Sequence, residues 1–385
     1  MRILIVYNYV PSHQGGIEVV LDAHASEWAR RGHEVTVVGS DVPGTSIRPP
    51  SNAYRVIGVP AGNWIEDRLG VPYPIPSPAM LRVLHREVAN ADVVHGHGFL
   101  CFPTLAAFSF ARRLRDRSPV RLLTEHVAHV KYPSPLVDAV ETVAIQSVGR
   151  ACLALAEGIV AYNTRVSDEL RVLVPEKPQR SIANGVDFEV ISPATVDERA
   201  RLRAEFGWDE VPRVLFVGRL VPKKGADIAA KAGALGNGAF KLIMIGEGRL
   251  PESSSPHVEF VGAVPYDRLA KLYRAADAFL LPSHGEGFPL TVQEALASGL
   301  PVFLGEDDSF RAHSRDIGES IHLVRRDPGA IVKALLDFLS TSDRQASARQ
   351  SAVDYARRSF SWKHAIDEHA AFVDELRTRR SSKAR

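Results

Sequence analysis

Apolar residues come either as short unbroken runs or at intervals of three and four, and the two patterns alternate along the chain. Residues 2–7, built on Ile3-Leu4-Ile5-Val6, predict a buried strand, and residues 16–30 predict a helix that stops at Gly32. Strands are predicted over 34–39, 92–95, 121–125 and 158–162, and helices over 78–89, 104–114 and 166–173. The stretch 135–156 reads as mostly helical. Alternation of this kind predicts a doubly wound parallel sheet. Asn184-Gly185-Val186-Asp187 marks a turn and residues 192–197 read as a linker, after which the pattern restarts. Strands are predicted over 213–218, 241–245, 257–262 and 278–282, with helices over 226–234 and 267–275. Residues 361–366 open a last helix with apolar positions at Ile366, Ala370, Val373 and Leu376. The fold class is α/β, with two Rossmann-like domains over 1–190 and 191–360, and residues 361–385 left as a terminal segment.

Bulk properties narrow the function classes. A chain of 385 residues exceeds one ordinary core, which favours two domains. Its 45% hydrophobic and 24% charged residues are those of a globular protein, and a net charge of +2 gives no reason to expect nucleic acid. No apolar run reaches the length of a membrane span. The opening run is short and is followed by Asn8 and Pro11, so it reads as a strand and not a signal peptide. Cys101 and Cys152 are the only cysteines and lack metal-type spacing, so a reduced, cytoplasmic protein is expected.

The chemistry concentrates where the apolar run Ala278-Phe279-Leu280-Leu281-Pro282 leads through Ser283-His284-Gly285-Glu286-Gly287-Phe288-Pro289 into an amphipathic helix ending at Gly299. A helix start offers free N–H groups and a positive dipole end, which suit phosphate. Glu286 and Glu294 bracket that point and can accept hydrogen bonds from hydroxyls on either side of it. A nucleotide sugar has this layout: ribose, diphosphate, sugar. In Val217-Gly218-Arg219-Leu220-Val221-Pro222-Lys223-Lys224-Gly225, Arg219 follows a strand and Lys224 precedes a helix, so both cations suit phosphate oxygens at the ligand-binding edge of an open sheet.

The Glu286-x7-Glu294 pair, within HGEGFPLTVQEALASGLPV, resembles the signature of retaining glycosyltransferases of family 4, and further blocks in the same order extend the resemblance over essentially the whole chain. It implies the GT-B architecture, with two Rossmann-like domains facing each other across a cleft and the C-terminal helix crossing back to the first domain. The 217–225 block resembles the family's phosphate clamp. Gly246-Glu247-Gly248 resembles a loop lining the nucleotide pocket, and Phe260-Val261-Gly262-Ala263-Val264-Pro265 a segment that holds the nucleobase at Val264. Gly16, of the Gly15-Gly16 pair, matches a loop facing the donor phosphates, and His97 a histidine pointing into the cleft near the sugar. The implied catalytic residues are Glu286, His97, Arg219 and Lys224. The implied donor site is Gly16, Arg219, Lys224, Gly246, Val264, Glu286, Gly287, Phe288, Pro289, Leu290 and Glu294.

Two features depart from the family pattern. Pro289 stands where Gly is common and has no N–H to give, and Phe303-Leu304-Gly305-Glu306-Asp307-Asp308 replaces a small Gly-rich loop. With Arg219 and Lys224 present, Asp307 and Asp308 read as solvated acids and no metal or other cofactor is expected. His95 and His97 could form half of a zinc site, but no third ligand lies at metal spacing. Glu125 or His126, at the end of a predicted strand, is a candidate acceptor contact. The reaction expected is hexosyl transfer from a UDP- or GDP-sugar to a hydroxyl of a glycan, a lipid-linked or a small-molecule acceptor, by a monomer or homodimer. A nucleotide-sugar epimerase and a non-catalytic nucleotide-sugar-binding protein are the other classes that share these features. The basic stretch Phe110-Ala111-Arg112-Arg113-Leu114-Arg115-Asp116-Arg117 reads either as a peripheral membrane contact or as a solvated helix face. Residues 377–385, basic and polar, are expected to fray.

Overall fold

A computed structural model describes residues 1–13, 16–45, 51–69, 73–126, 135–162, 164–248, 255–284, 288–307, 310 and 318–383. The chain forms two compact units, Met1–Asn184 with Trp362–Arg385, and Gly185–Ser361. The sequence pattern had placed the division near residue 190.

The N-terminal unit is built on an eight-stranded sheet: β1 (Arg2–Tyr9), β2 (Glu34–Asp41), β3 (Arg55–Gly62), β4 (Ile75–Pro76), β5 (Val93–His97), β6 (Val120–Glu125), β7 (Gly158–Ala161) and β8 (Gln179–Ser181). Their order is β4-β3-β2-β1-β5-β6-β7-β8, and β4 alone pairs antiparallel. Side-chain alternation sends Leu4 and Val6 of β1 to one face and Ile3 and Ile5 to the other. The first face is covered by helices Ala79–Asn90 and Phe102–Arg113, through Met80, Leu84, Val88, Ala107 and Phe108. The opposite face is covered by helix Gly16–Arg30, through Leu21, Ala25 and Trp28, and by the terminal helix Trp362–Lys383, through Ile366, Phe372, Val373 and Leu376.

The last helix therefore crosses back to the first domain. Burying those four side chains contributes about 6–12 kcal/mol before ordering costs. The expected fraying from 377 onward is corrected: the helix runs to Lys383. Arg380 donates to the carbonyls of Ser118 and Pro119, both at 2.6 Å, and pairs with Glu157. These contacts replace the hydration that frays a polar helix end.

The second unit holds β9 (Arg213–Val217), β10 (Lys241–Ile245), β11 (Val258–Gly262), β12 (Ala278–Leu281), β13 (Val302–Gly305) and β14 (Ile321–Val324) in the order β11-β10-β9-β12-β13-β14, all parallel. From β9 the chain winds outward to β11, then returns to lay β12 against the other side of β9. The carboxyl ends of β9 and β12 thus form the switch point where open α/β sheets bind ligands. The expected linker at 192–197 instead runs into helix Val196–Glu205, opened by a capping box between Thr195 and Glu198. Arg199 and Arg203 of that helix clamp Asp277 at 2.5 and 2.9 Å, just before β12. Among the described residues no helix is long and apolar enough to cross a membrane.

Candidate active site

The loops after β9 and β12 meet at the switch point of the second unit. Gly225 ends the turn Pro222–Lys224 with φ +71°, and a Cβ there would run into the Pro282 carbonyl of the loop after β12. The Lys223 carbonyl accepts the His284 N–H at 3.2 Å, tying the two loops together. Arg219 stands exposed at the end of β9, and Lys224 is half-buried before helix Ala226–Leu235.

The loops after β9, β10 and β11 are laced in the same way. Gly218 N–H reaches the Ile245 carbonyl at 3.0 Å, Leu220 N–H the Glu247 carbonyl at 2.7 Å, and Gly246 N–H the Gly262 carbonyl at 2.9 Å. Gly246 has φ +139°, and a side chain there would collide with Gly218. The glycine is needed for loop packing, whatever else it contacts. Val264 lies half-buried just past β11.

Glu286 and Gly287 lie outside the described residues. Beyond them Phe288 is buried and Pro289 caps helix Leu290–Ala297. The Pro289 carbonyl accepts the N–H groups of Val292 and Gln293 at 3.0 and 3.2 Å. The N–H groups of Leu290 and Thr291 have no backbone acceptor among the described residues. The proline therefore costs one N–H but leaves two at the helix start. Buried Gln293, which the sequence did not single out, donates from Nε2 to the Phe288 carbonyl at 3.0 Å and pins the turn.

Glu294 is 7% exposed. Tyr266 donates to its Oε1 at 3.1 Å and Tyr273 to its Oε2 at 3.2 Å. Burial pushes its carboxyl up to about 7, and the two tyrosine hydroxyls, which favour the carboxylate, offset only part of that. Each oxygen keeps a lone pair for a further donor. Neither tyrosine was anticipated. They lie seven residues apart on helix Tyr266–Ala275, so they share a face.

In the N-terminal unit, Gly16 opens the first helix, and a Cβ there would enter open space, so packing does not demand a glycine. Gly15 lies outside the described residues. Glu125, at the end of β6, is buried and accepts the Phe99 N–H at 2.9 Å and the His126 N–H at 3.0 Å. Its carboxylate fixes the loops after β5 and β6, which leaves half-buried His126 as the better placed acceptor candidate. His97, expected to point into the cleft near the sugar, ends β5. Its side chain is fully buried, with Nδ1 2.8 Å from His126 Nε2 and the ring packed against His24 and His95. Asp307 is half-buried and Asp308 lies outside the described residues.

Two family models match the chain: "Glycosyltransferase Family 4" over residues 14–190 and "Glycosyl transferases group 1" over residues 198–358. A GDP-mannose-dependent alpha-mannosyltransferase of Mycobacterium tuberculosis is 30% identical over 92% of this chain and 91% of its own length. A D-inositol 3-phosphate glycosyltransferase of Acidothermus cellulolyticus is 30% identical over 96% of this chain and 87% of its own. The chain belongs to glycosyltransferase family 4. The fold agrees. HepE of Anabaena in complex with UDP superposes with a TM-score of 0.75 at 16% identity, covering 97% of this chain and all of that one. This glycosyltransferase has the two parallel-sheet α/β domains of the GT-B architecture, and its signature cations, helix start and Glu294 all lie on the carboxyl edge of the second unit's sheet.

Proposed function

We propose that this glycosyltransferase moves a hexosyl unit, with retention of anomeric configuration, from a nucleoside-diphosphate sugar to a hydroxyl acceptor. The observation that carries the reading is the switch point of the second sheet. There two cations, a helix start whose Leu290 and Thr291 N–H groups have no backbone acceptor among the described residues, and a buried carboxylate follow the neighbouring strands β9 and β12. When the anomeric C–O bond breaks, negative charge grows on the leaving diphosphate. Fixed donors at that charge lower the barrier without reorganisation. Arg219, Lys224 and the N–H groups of Leu290 and Thr291 are assigned to it.

Glu294 is assigned to the ribose hydroxyls. Hydroxyls donating to it would do what the tyrosines do in part, favouring the carboxylate that burial disfavours. Glu286 is assigned to the sugar, where its charge stabilises an oxocarbenium-like centre. Gly246 and Val264 line the nucleobase side and Gly16 the phosphate side. The leaving phosphate oxygen takes the acceptor proton as the new bond forms on the same face. The diphosphate charge is met by side chains and N–H groups, with no metal in the transfer step. The N-terminal unit is assigned the acceptor, with His126 its nearest contact. GDP-mannose is the first donor to test, on the strength of the mannosyltransferase relative, with UDP-sugars next. Calorimetric titration with GDP, UDP and ADP tests the donor site: one diphosphate should bind the wild type and bind Glu294→Gln more weakly. Failure of all three would remove the donor assignment.

A further inference from the structure

Two tyrosines grip the buried Glu294 carboxylate of the second unit. Both belong to helix Tyr266–Ala275, which starts two residues after Val264, at the segment assigned to the nucleobase. Tyr266 Oη lies 3.1 Å from Glu294 Oε1 and Tyr273 Oη 3.2 Å from Glu294 Oε2, so each carboxylate oxygen has its own donor. Tyr273 Oη also lies 3.4 Å from the Thr291 carbonyl, in the first turn of the Glu294 helix. Tyr273 is fully buried, whereas Tyr266 is 40% exposed. One donor is thus part of the core, and the other stands at its solvent edge.

A carboxylate held at both oxygens cannot turn about its last bond without giving up both hydrogen bonds. Its plane is therefore set by the helix that carries the tyrosines. The two hydroxyls occupy one acceptor site on each oxygen and leave a matched pair for two further donors. Hydroxyls on adjacent ring carbons, such as the 2′ and 3′ hydroxyls of ribose, fit such a pair. The same grip acts on charge. Burial favours the protonated carboxyl and the two hydroxyls favour the carboxylate, which leaves Glu294 titrating at about 7. Tyr273 keeps its own proton, because burial, and after it the Glu294 charge, push its hydroxyl well above the ordinary range. β12 and β13, packed against the Glu294 helix, carry no titratable side chain. On helix Ser342–Ser359, also packed there, Arg349 turns to the carbonyls of Gly299 and Ala276, and Tyr355 packs on Phe360. Among the described residues no ionisable group besides the two tyrosines acts on Glu294.

We propose that Tyr266 and Tyr273 are positioning residues of the donor site, which orient the Glu294 carboxylate and keep it ionised to receive both ribose hydroxyls. The inference rests on the assignment of Glu294 to the ribose. Both tyrosines act through Glu294 and touch no reacting atom. A proton on Glu294 would turn one acceptor oxygen into a donor and set it against a ribose hydroxyl. Donor binding therefore strengthens as pH rises through the Glu294 midpoint, and the tyrosines extend it to lower pH. Removing one hydroxyl takes away a hydrogen bond to the charged form and raises that midpoint by about one pH unit or more.

The test is calorimetric titration of full-length wild type, Tyr266→Phe, Tyr273→Phe and Glu294→Gln with GDP, or with UDP or ADP where the wild type prefers it, from about pH 6 to about pH 8.5. Glu294→Gln supplies the pH profile of the nucleotide's own phosphate. Relative to that profile, wild-type affinity should climb with a midpoint at about 7. In each Phe variant the midpoint should move to about 8, so that affinity falls about fivefold at pH 7 and nearly returns to the wild-type value at about pH 8.5. A tyrosine that merely packs would weaken binding by one factor at every pH. The 2′-deoxy form of the same nucleotide separates this proposal from the reading beneath it: wild type should bind it about tenfold or more weakly than the ribonucleotide. Equal binding of the two forms, or no binding of any of the three diphosphates, would remove Glu294 from the ribose and the proposal with it. A clear preference for the ribonucleotide, with the wild-type midpoint kept in both Phe variants, would overturn the proposal alone. If Tyr273→Phe does not fold, Tyr266→Phe decides by the same outcomes.

Discussion

Glu294→Gln should make this enzyme more stable at alkaline pH while weakening its donor site. Glu294 is buried, and its carboxyl is raised from about 4.5 to about 7. In the unfolded chain it loses its proton near 4.5, whereas in the folded state it holds the proton until about 7. Between those values the folded state binds more protons, so this group makes stability fall as pH rises, and the penalty is complete above 7. At about 1.4 kcal/mol per pKa unit, the penalty is about 3 kcal/mol at pH 8 and absent below pH 4.5. Glutamine carries no charge to desolvate. Its amide must face one tyrosine hydroxyl, which can turn to accept, and that exchange costs about 1 kcal/mol. The variant should therefore be about 2 kcal/mol more stable than wild type at pH 8 and about 1 kcal/mol less stable at pH 4. Urea unfolding of both proteins at the two pH values, read by circular dichroism, gives the difference directly. Equal pH slopes in the two proteins would refute the reasoning, because they would mean that Glu294 is not raised in the folded enzyme.

Further outcomes follow from the same geometry. Arg219→Ala and Lys224→Ala should each lower kcat/KM by about two to three orders of magnitude with native circular dichroism, the usual effect of removing one donor from a developing oxyanion; steady-state kinetics with the identified donor checks it. Glu286→Gln should lower kcat strongly while calorimetric affinity for the nucleoside diphosphate stays near wild type, whereas Glu294→Gln should raise donor KM more than it lowers kcat. Arg380→Ala should destabilise the N-terminal unit by about 1–3 kcal/mol, because it removes the guanidinium that donates to the Ser118 and Pro119 carbonyls and pairs with Glu157; chemical denaturation measures it, and an unchanged midpoint would show that apolar burial alone holds the terminal helix.

The alternation of apolar runs and helical spacing was enough to read the two parallel-sheet domains, because strands such as β1 and β9 are buried on both faces and carry unbroken apolar sequence. The strands it missed lie toward the sheet edges. β3 mixes Arg55, Gly58 and Pro60 with its apolar residues and is half exposed, so its periodicity is weak. Helix Val196–Glu205, whose first two residues fall in the expected linker 192–197, shows little apolar periodicity because it is polar nearly all round, with only Leu202 buried; its legible signal is the Thr195–Glu198 capping box. The stretch 135–156 is helical as expected, but it carries a π-type turn at Ile145–Gly149 between helices Pro135–Ala144 and Arg150–Leu155, a detail of hydrogen-bond register that residue types do not encode.

At the site, Arg219, Lys224 and Glu294 could be named because each is tied to a strand end or a helix start a few residues away. What surrounds them could not. Tyr266 and Tyr273 reach Glu294 from a different helix. His97 could be singled out, but its direction depended on His24 and His126, which come from other elements.

The most direct test of the proposed transfer is the anomeric configuration of the sugar at the moment it leaves an α-linked nucleoside-diphosphate hexose. Time-resolved proton NMR of the enzyme with GDP-mannose and UDP-hexoses, in the presence of glycan and inositol-phosphate acceptors, reads the first-formed anomeric signal before mutarotation. An α-linked product, with nucleoside diphosphate released in step and lost together in Arg219→Ala, is what retaining transfer requires; a β-linked first product would contradict it.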